Sequence, residues 1–266
     1  MTIGRRLFMI GGGAAAVVFL GGATTSLDFG AEHRQSLLIA GSEEFAPYAT
    51  KLADAFAKAN PHVDVVVEAG GTVPGLLALA RGAIDLALAS RELTPSEDDK
   101  LTRSHLVARD AIGLVVNPAN PLSGLTRKEA FAILREGKAP LRLYRRKPDA
   151  ATQKAVDKLV LDHAEMAPGA TIVDSGAAMR DKIAADPDGI GFLALHDVTP
   201  AVKVLAIDNV AMSRATILSG RYPFTRSFFC VTHGTRKGAA TDAFLAFAMG
   251  REGQALFETM GLIAVR

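Results

Sequence analysis

Three hydroxyls and a guanidinium stand where a chain could hold a small oxyanion without a metal: Ser42, Thr72, Ser90 and Arg91. Ser42 follows Gly41 at the end of the apolar run 38–40 and comes five residues before Pro47. Proline has no N–H and a preset φ, so it suits the first helical position and leaves residues 41–46 as the connection ahead of a helix. Backbone donors in such a turn have no helical partner, and the positive end of the helix lies behind them. Taken alone, an ordinary strand-to-helix turn reads the same way. The pattern recurs, however: the valine-rich run 63–68 leads into Ala69-Gly70-Gly71-Thr72-Val73-Pro74-Gly75 and an Ala/Leu-rich helix expected over 76–81. Two glycines let backbone approach a bound group, and Thr72 adds a hydroxyl. A third run, 82–92, is a short buried strand ending in Ser90 and Arg91. Strand ends are where open α/β sheets bind ligands, and arginine offers an oxyanion a planar fork. In the other reading, Arg91 pairs with Glu92 or Glu97 at the surface.

Competing chemistries lack their residues. The glycine turns have neither the Gly-Lys-Ser/Thr ending of a nucleotide P-loop nor the spacing of a dinucleotide fold. The six histidines, His33, His62, His105, His163, His196 and His233, show no metal-ligand spacing, and no Gly-x-Ser-x-Gly elbow occurs. Glu43 and Glu44 are adjacent, so their side chains diverge, and acids before a helix commonly serve its dipole. The expectation is a protein that is not an enzyme, with no cofactor and no metal. Lys and Arg total 30 against 28 Asp and Glu, with three Tyr and no Trp, which does not suggest a nucleic-acid surface. The single Cys230 lies in an apolar run and reads as a buried, inert thiol.

The elements that must position these groups follow from periodicity and punctuation. A chain of 266 residues, 49% hydrophobic and 22% charged, can build one large core or two modest ones. Arg5-Arg6 followed by an apolar stretch to about Leu20 reads as a targeting segment, with the paired arginines resembling a twin-arginine signal. No clean cleavage site follows, so an uncleaved anchor stays open, and the body is expected to work in the periplasm. Residues 112–116 read as a strand, and Asn117-Pro118-Ala119-Asn120-Pro121 as a stiff crossover at a lobe boundary. Thr126 and Glu129 form a capping box for a helix that stops before Gly137. A strand at 141–144 leads through the basic cluster Arg145-Arg146-Lys147 to a helix at 153–161; the cluster either faces the other lobe or is a solvated surface. The strand at 190–195 is expected to lead back to the first lobe.

The order of these motifs resembles the phosphate-binding receptors of bacterial ABC phosphate importers, a branch of the periplasmic binding protein superfamily. The likeness rests on Gly41-Ser42 with Ala46-Pro47, Gly70-Gly71-Thr72 with Gly75, Ala89-Ser90-Arg91-Glu92, Val116-Asn117-Pro118, Gly189-Ile190-Gly191-Phe192, Ser219-Gly220-Arg221-Tyr222-Pro223 with Arg226, and Glu252-Gly253-Gln254. The resemblance implies an α/β, two-lobed fold with a hinge and a ligand cleft between the lobes. Residues 1–35 would be export signal and linker, 36–117 plus 195–266 the first lobe, and 118–194 the second. It implies a monomer that delivers phosphate or a related oxyanion to a membrane ABC permease. Its inherited contacts would be Ser42, Thr72, Ser90, Arg91, Arg146 and Thr152, and Glu43 joins this expected ligand-binding set as the residue after Ser42.

The chain departs from the family pattern at two places. Glu43 and Glu44 replace small hydroxyl residues after Ser42, and the second-lobe loop Arg146-Lys147-Pro148-Asp149-Ala150-Ala151-Thr152 keeps Arg and Thr but replaces a serine and two glycines. Each lost contact costs about 1 to 3 kcal/mol. The same departures motivate the alternative, a binding-protein fold with a degenerate site that serves as an envelope interaction or sensory protein.

Overall fold

The computed structural model describes residues 34–137, 140–234 and 238–265. The export segment, apart from its last two residues, lies outside the described residues. In chain order the elements are β1 (Gln35–Gly41), α1 (Ala46–Ala59), β2 (Val63–Ala69), α2 (Thr72–Ala80), β3 (Leu86–Ala89), β4 (Thr102–Val116), β5 (Gly124–Leu125), α3 (Arg127–Glu136), β6 (Arg142–Arg146) and α4 (Ala151–Leu159). Then come β7 (Thr171–Val173), α5 (Gly176–Ala185), β8 (Gly189–Ala194), a 3₁₀ turn (Leu195–Asp197), β9 (Lys203–Val204), β10 (Ala206–Ile207), α6 (Arg214–Leu218), β11 (Thr225–His233), α7 (Ala239–Met249), α8 (Arg251–Thr259) and β12 (Ile263–Ala264).

Alternation along the strands divides the first lobe into two layers of core. On β3, Leu86 and Leu88 point into a cluster with α1, α7 and α8, while Ala87 and Ala89 point to α2 on the other face. On β11, Phe228 and Cys230 join the first cluster and Phe229 and Val231 the second. A sheet covered on both faces needs apolar residues on both, which is why these strands read as continuous hydrophobic runs. Burial pushes the Cys230 thiol up to about 12. Folded protein is therefore expected to leave a disulfide-exchange chromophore unreacted for hours and to react stoichiometrically in denaturant; rapid native-state reaction would contradict this packing.

The main sheet runs β2-β1-β3-β11-β4-β8-β6-β7. Strand β4 serves both lobes: residues 102–111 pair with β11, and residues 112–116 pair with β8. The sequence reading found only the apolar end of this strand, because Arg103, Ser104, His105, Arg109 and Asp110 obscure its alternation. The chain crosses back at Phe224, whose carbonyl accepts from the Ile112 amide at 3.0 Å. Residues 195–224, expected with the first lobe, pack instead in the second-lobe core through Val202, Leu205, Ile207, Ile217, Tyr222 and Phe224. Strand β9 draws them there by pairing Val204 with Val115, an association that periodicity alone does not encode. The crossings thus fall next to residues 112 and 225 rather than 118 and 195. The Thr126–Glu129 capping box forms as expected, with the Glu129 amide donating to Thr126 Oγ1 at 3.2 Å and the Thr126 amide to Glu129 Oε2 at 2.7 Å.

Candidate functional site

Parallel pairing decides which residues meet. Strands β1, β2 and β3 run in one direction, with Gly41 opposite both Ala69 and Leu88, so Ser42, Gly70 and Ser90 emerge at the same edge. Their backbones interlock: the Ser42 amide donates to the Leu88 carbonyl at 2.8 Å, and the Gly70 and Gly71 amides donate to the Gly41 carbonyl at 2.9 and 2.8 Å. Only glycine fits at two points here. A Cβ on Gly75 would lie 2.7 Å from the Gly41 Cα, and one on Gly41 would lie 2.2 Å from the Leu88 carbonyl oxygen. Phe45 pins the first turn by burying its ring against Phe228, centroids 4.9 Å apart, while its amide donates to Ser42 Oγ at 3.3 Å. Burial of such a ring stabilises the turn by about 1.5 to 3 kcal/mol.

Helix α2 begins at Thr72, four residues ahead of the expected start, with Gly71 as its N-cap at φ 93°. Pro74 is the third helical residue, where the missing N–H forfeits no helical bond. Thr72 is therefore a first-turn residue, and its Oγ1 accepts from the Ser90 amide at 3.4 Å. Helix α1 begins at Ala46 with Pro47 second.

These tips line a cleft of about 420 Å³ bounded by Ser42, Glu43, Glu44, Gly71, Thr72, Val73, Pro74, Ser90, Arg91 and Lys158. Ser42 and Ser90 are buried at its floor. Five of the seven expected ligand-binding residues come together here: Ser42, Glu43, Thr72, Ser90 and Arg91. Arg91, however, is committed to Glu97, with Nη1 and Nη2 each 2.7 Å from a carboxylate oxygen. That hydrogen-bonded guanidinium holds the Glu97 carboxyl down at about 2. Of the two readings of Arg91, pairing with Glu97 is the one observed.

Arg146 and Thr152 are not among the residues lining this cleft. Arg146 ends β6 and donates through Nη2 to the Asp174 carbonyl at 2.9 Å; its Nε is buried without a hydrogen-bond partner. Lys147 meets the Asp174 carboxylate at 2.8 Å, so Asp174, just after β7, holds much of the basic cluster within the second lobe. Fully buried Gln153 fixes the β6–α4 junction by accepting from the Arg146 amide at 3.0 Å and donating to Asp157 at 2.8 Å. Thr152 lies in the first turn of α4.

The residue that α4 contributes is Lys158, from its last turn. The Lys158 Nζ lies 3.2 and 3.3 Å from the two carboxylate oxygens of half-buried Glu44, bridging the walls of the cleft. Glu44 Oε2 is also 3.9 Å from Arg226 Nη1. Arg226 in turn donates through Nε and Nη2 to Asp110 at 3.0 and 2.7 Å and lies over Phe228 at 5.2 Å. Sequence reasoning placed neither Lys158 nor Glu44 in the contact set, and their separation of 114 positions left no local signal. Among the described residues no group of three or more His, Cys, Asp or Glu is placed to hold a metal ion, and no helix is long and apolar enough to cross a membrane. Chemically, the site offers hydroxyls, helix-start amides and one ammonium, a donor set suited to an oxyanion.

A family described as a PBP superfamily domain matches residues 29–252. Over 220 residues the chain is 30% identical to the phosphate-binding protein PstS of Bacillus subtilis (strain 168), covering 77% of this chain and 71% of that one. An ABC-type phosphate transport receptor from Vibrio cholerae superposes with a TM-score of 0.71 at 23% identity, over 86% of this chain and 99% of that one. PstS from Borrelia burgdorferi superposes at 0.73 and 20% identity, over 87% and 99%. These two structural likenesses speak to the fold, a two-lobed α/β architecture.

Proposed function

The chain belongs to the PBP superfamily, and from that premise we propose that it is a receptor that binds phosphate or a related small oxyanion between its lobes and delivers it to a membrane ABC permease. One observation carries the proposal: the tips of β1, α2 and β3 present Ser42, Thr72 and Ser90 to a single cleft whose opposite wall supplies an ammonium. The Bacillus relative is named for phosphate binding, which supports an oxyanion ligand over a degenerate site. Helix-start amides of α2 and the hydroxyls can satisfy the anion's oxygens, which a buried anion requires. Closure of the lobes about the two strand crossings beside residues 112 and 225 would dehydrate it. Arg5-Arg6 and the apolar stretch after it support export, and the protein is expected to act as a monomer and without catalysis.

Calorimetric titration with inorganic phosphate tests the reading. Wild-type protein is expected to bind one phosphate, and Thr72→Val, which keeps shape but removes the hydroxyl, to weaken it by roughly ten- to a hundredfold. Absence of heat with phosphate, sulfate and arsenate alike would overturn the proposal.

A further inference from the structure

Among the described residues one of the second lobe lines the cleft, Lys158, and its ammonium is already held by a carboxylate from the facing wall. On the receptor reading, we infer that Lys158 is the second lobe's anion-binding group and that Glu44 is a tethered carboxylate which occupies it until an oxyanion arrives. Ligand binding is then an exchange of one anion for another, and Glu44 sets the charge an incoming solute must carry to displace it.

Contrast among the ion pairs around the cleft carries this assignment. Arg91 and Glu97 meet through two contacts of 2.7 Å, and Arg226 meets Asp110 at 2.7 Å with both side chains under a tenth exposed. Lys158 and Glu44 meet at 3.2 and 3.3 Å, looser than the roughly 2.7 to 2.9 Å of a tight ammonium–carboxylate bond. Their side chains are 37% and 24% exposed, so both can move without opening the core. Lysine brings a compact charge on a flexible stem, suited to changing partners.

Glu44 also has somewhere to go. Its Oε2 already lies 3.9 Å from Arg226 Nη1, so a carboxylate released by Lys158 keeps a cationic neighbour. A dianion at the same distance attracts the ammonium about twice as strongly as a single carboxylate, which favours phosphate as the incomer over singly charged solutes. Neutral solutes have no means of displacing it.

Phosphate titrations of wild type, Glu44→Gln, Lys158→Met and Lys158→Arg, each checked by a melting curve, test the exchange. Glu44→Gln is expected to bind phosphate roughly tenfold or more tightly than wild type, and Lys158→Met roughly ten- to a hundredfold more weakly. Lys158→Arg, which keeps the charge, is expected to retain most of the affinity, separating lost charge from lost packing. If wild type binds phosphate but Glu44→Gln is unchanged or weaker, or Lys158→Met is unchanged, the exchange is overturned and the receptor reading stands. If wild type and Glu44→Gln are both silent toward phosphate, sulfate and arsenate, both fall together.

Discussion

Arg226→Met is expected to destabilise the protein by about 3 to 5 kcal/mol, lowering the melting temperature by roughly 10 °C, and adding Asp110→Leu to recover most of that loss. The single change leaves a carboxylate at the core of the molecule without its cation. Asp110 and Arg226 face each other across β4 and β11 in direct register, with side chains 8% and 6% exposed. Asp110 Oδ2 loses both guanidinium bonds, while Oδ1 keeps the Ala111 amide at 2.8 Å. Removing Asp110 alone is expected to cost less, because Glu44 at 3.9 Å partly compensates the stranded guanidinium. The pair sits one to two residues before β4 changes partner from β11 to β8, so its loss also loosens the joint between the lobes. Urea unfolding of the two single variants and the double variant, fitted with a common slope, measures the cycle. Equal stability of Arg226→Met and wild type would show that the buried pair contributes nothing.

Gly41→Ala is expected to cost about 2 to 6 kcal/mol and to abolish phosphate binding in whatever folded protein remains. The new Cβ would lie 2.2 Å from the oxygen and 2.8 Å from the nitrogen of Leu88, both backbone atoms of a fully buried strand between β1 and β11. Gly41 also adopts φ 147°, which side-chain-bearing residues rarely do. Relief requires β1 to shift, and that carries Ser42 away from Ser90 and breaks the Ser42 amide bond to Leu88. Gly70→Ala is the control in the same turn, since its Cβ meets nothing within 4 Å, and it is expected to change stability by less than about 1 kcal/mol. Thermal melts and phosphate titration of both variants separate steric collapse from a general intolerance of the turn; comparable losses in the two would sink the close-approach argument.

The strand-glycine-helix units around Ser42 and Thr72 were legible because their signals are local. An apolar run and a valine-rich run marked β1 and β2, and Pro47 and Pro74 marked the helix starts, although α2 takes Pro74 into its third position and so begins earlier than proline placement suggested. The Thr126 capping box was legible for the same reason, since both partners lie within one turn. Arg91 was not decidable: ligand fork and partner of Glu97 are both consistent with its position in sequence, and only coordinates choose.

By itself the sequence determined which short stretches would be strand, turn or helix, and that three strand ends carry hydroxyls beside glycine or alanine. Tertiary structure alone decided that those ends share one edge, because sheet order and parallel direction are set by long-range pairing. It also decided that residues 195–224 serve the second lobe and that Lys158, rather than Arg146, lines the cleft. The physical reason is the range of the interactions. Hydrogen bonds within a turn and periodic burial act between neighbours in the chain, whereas a charge finds its partner through space, here across 114 residues from Glu44 to Lys158.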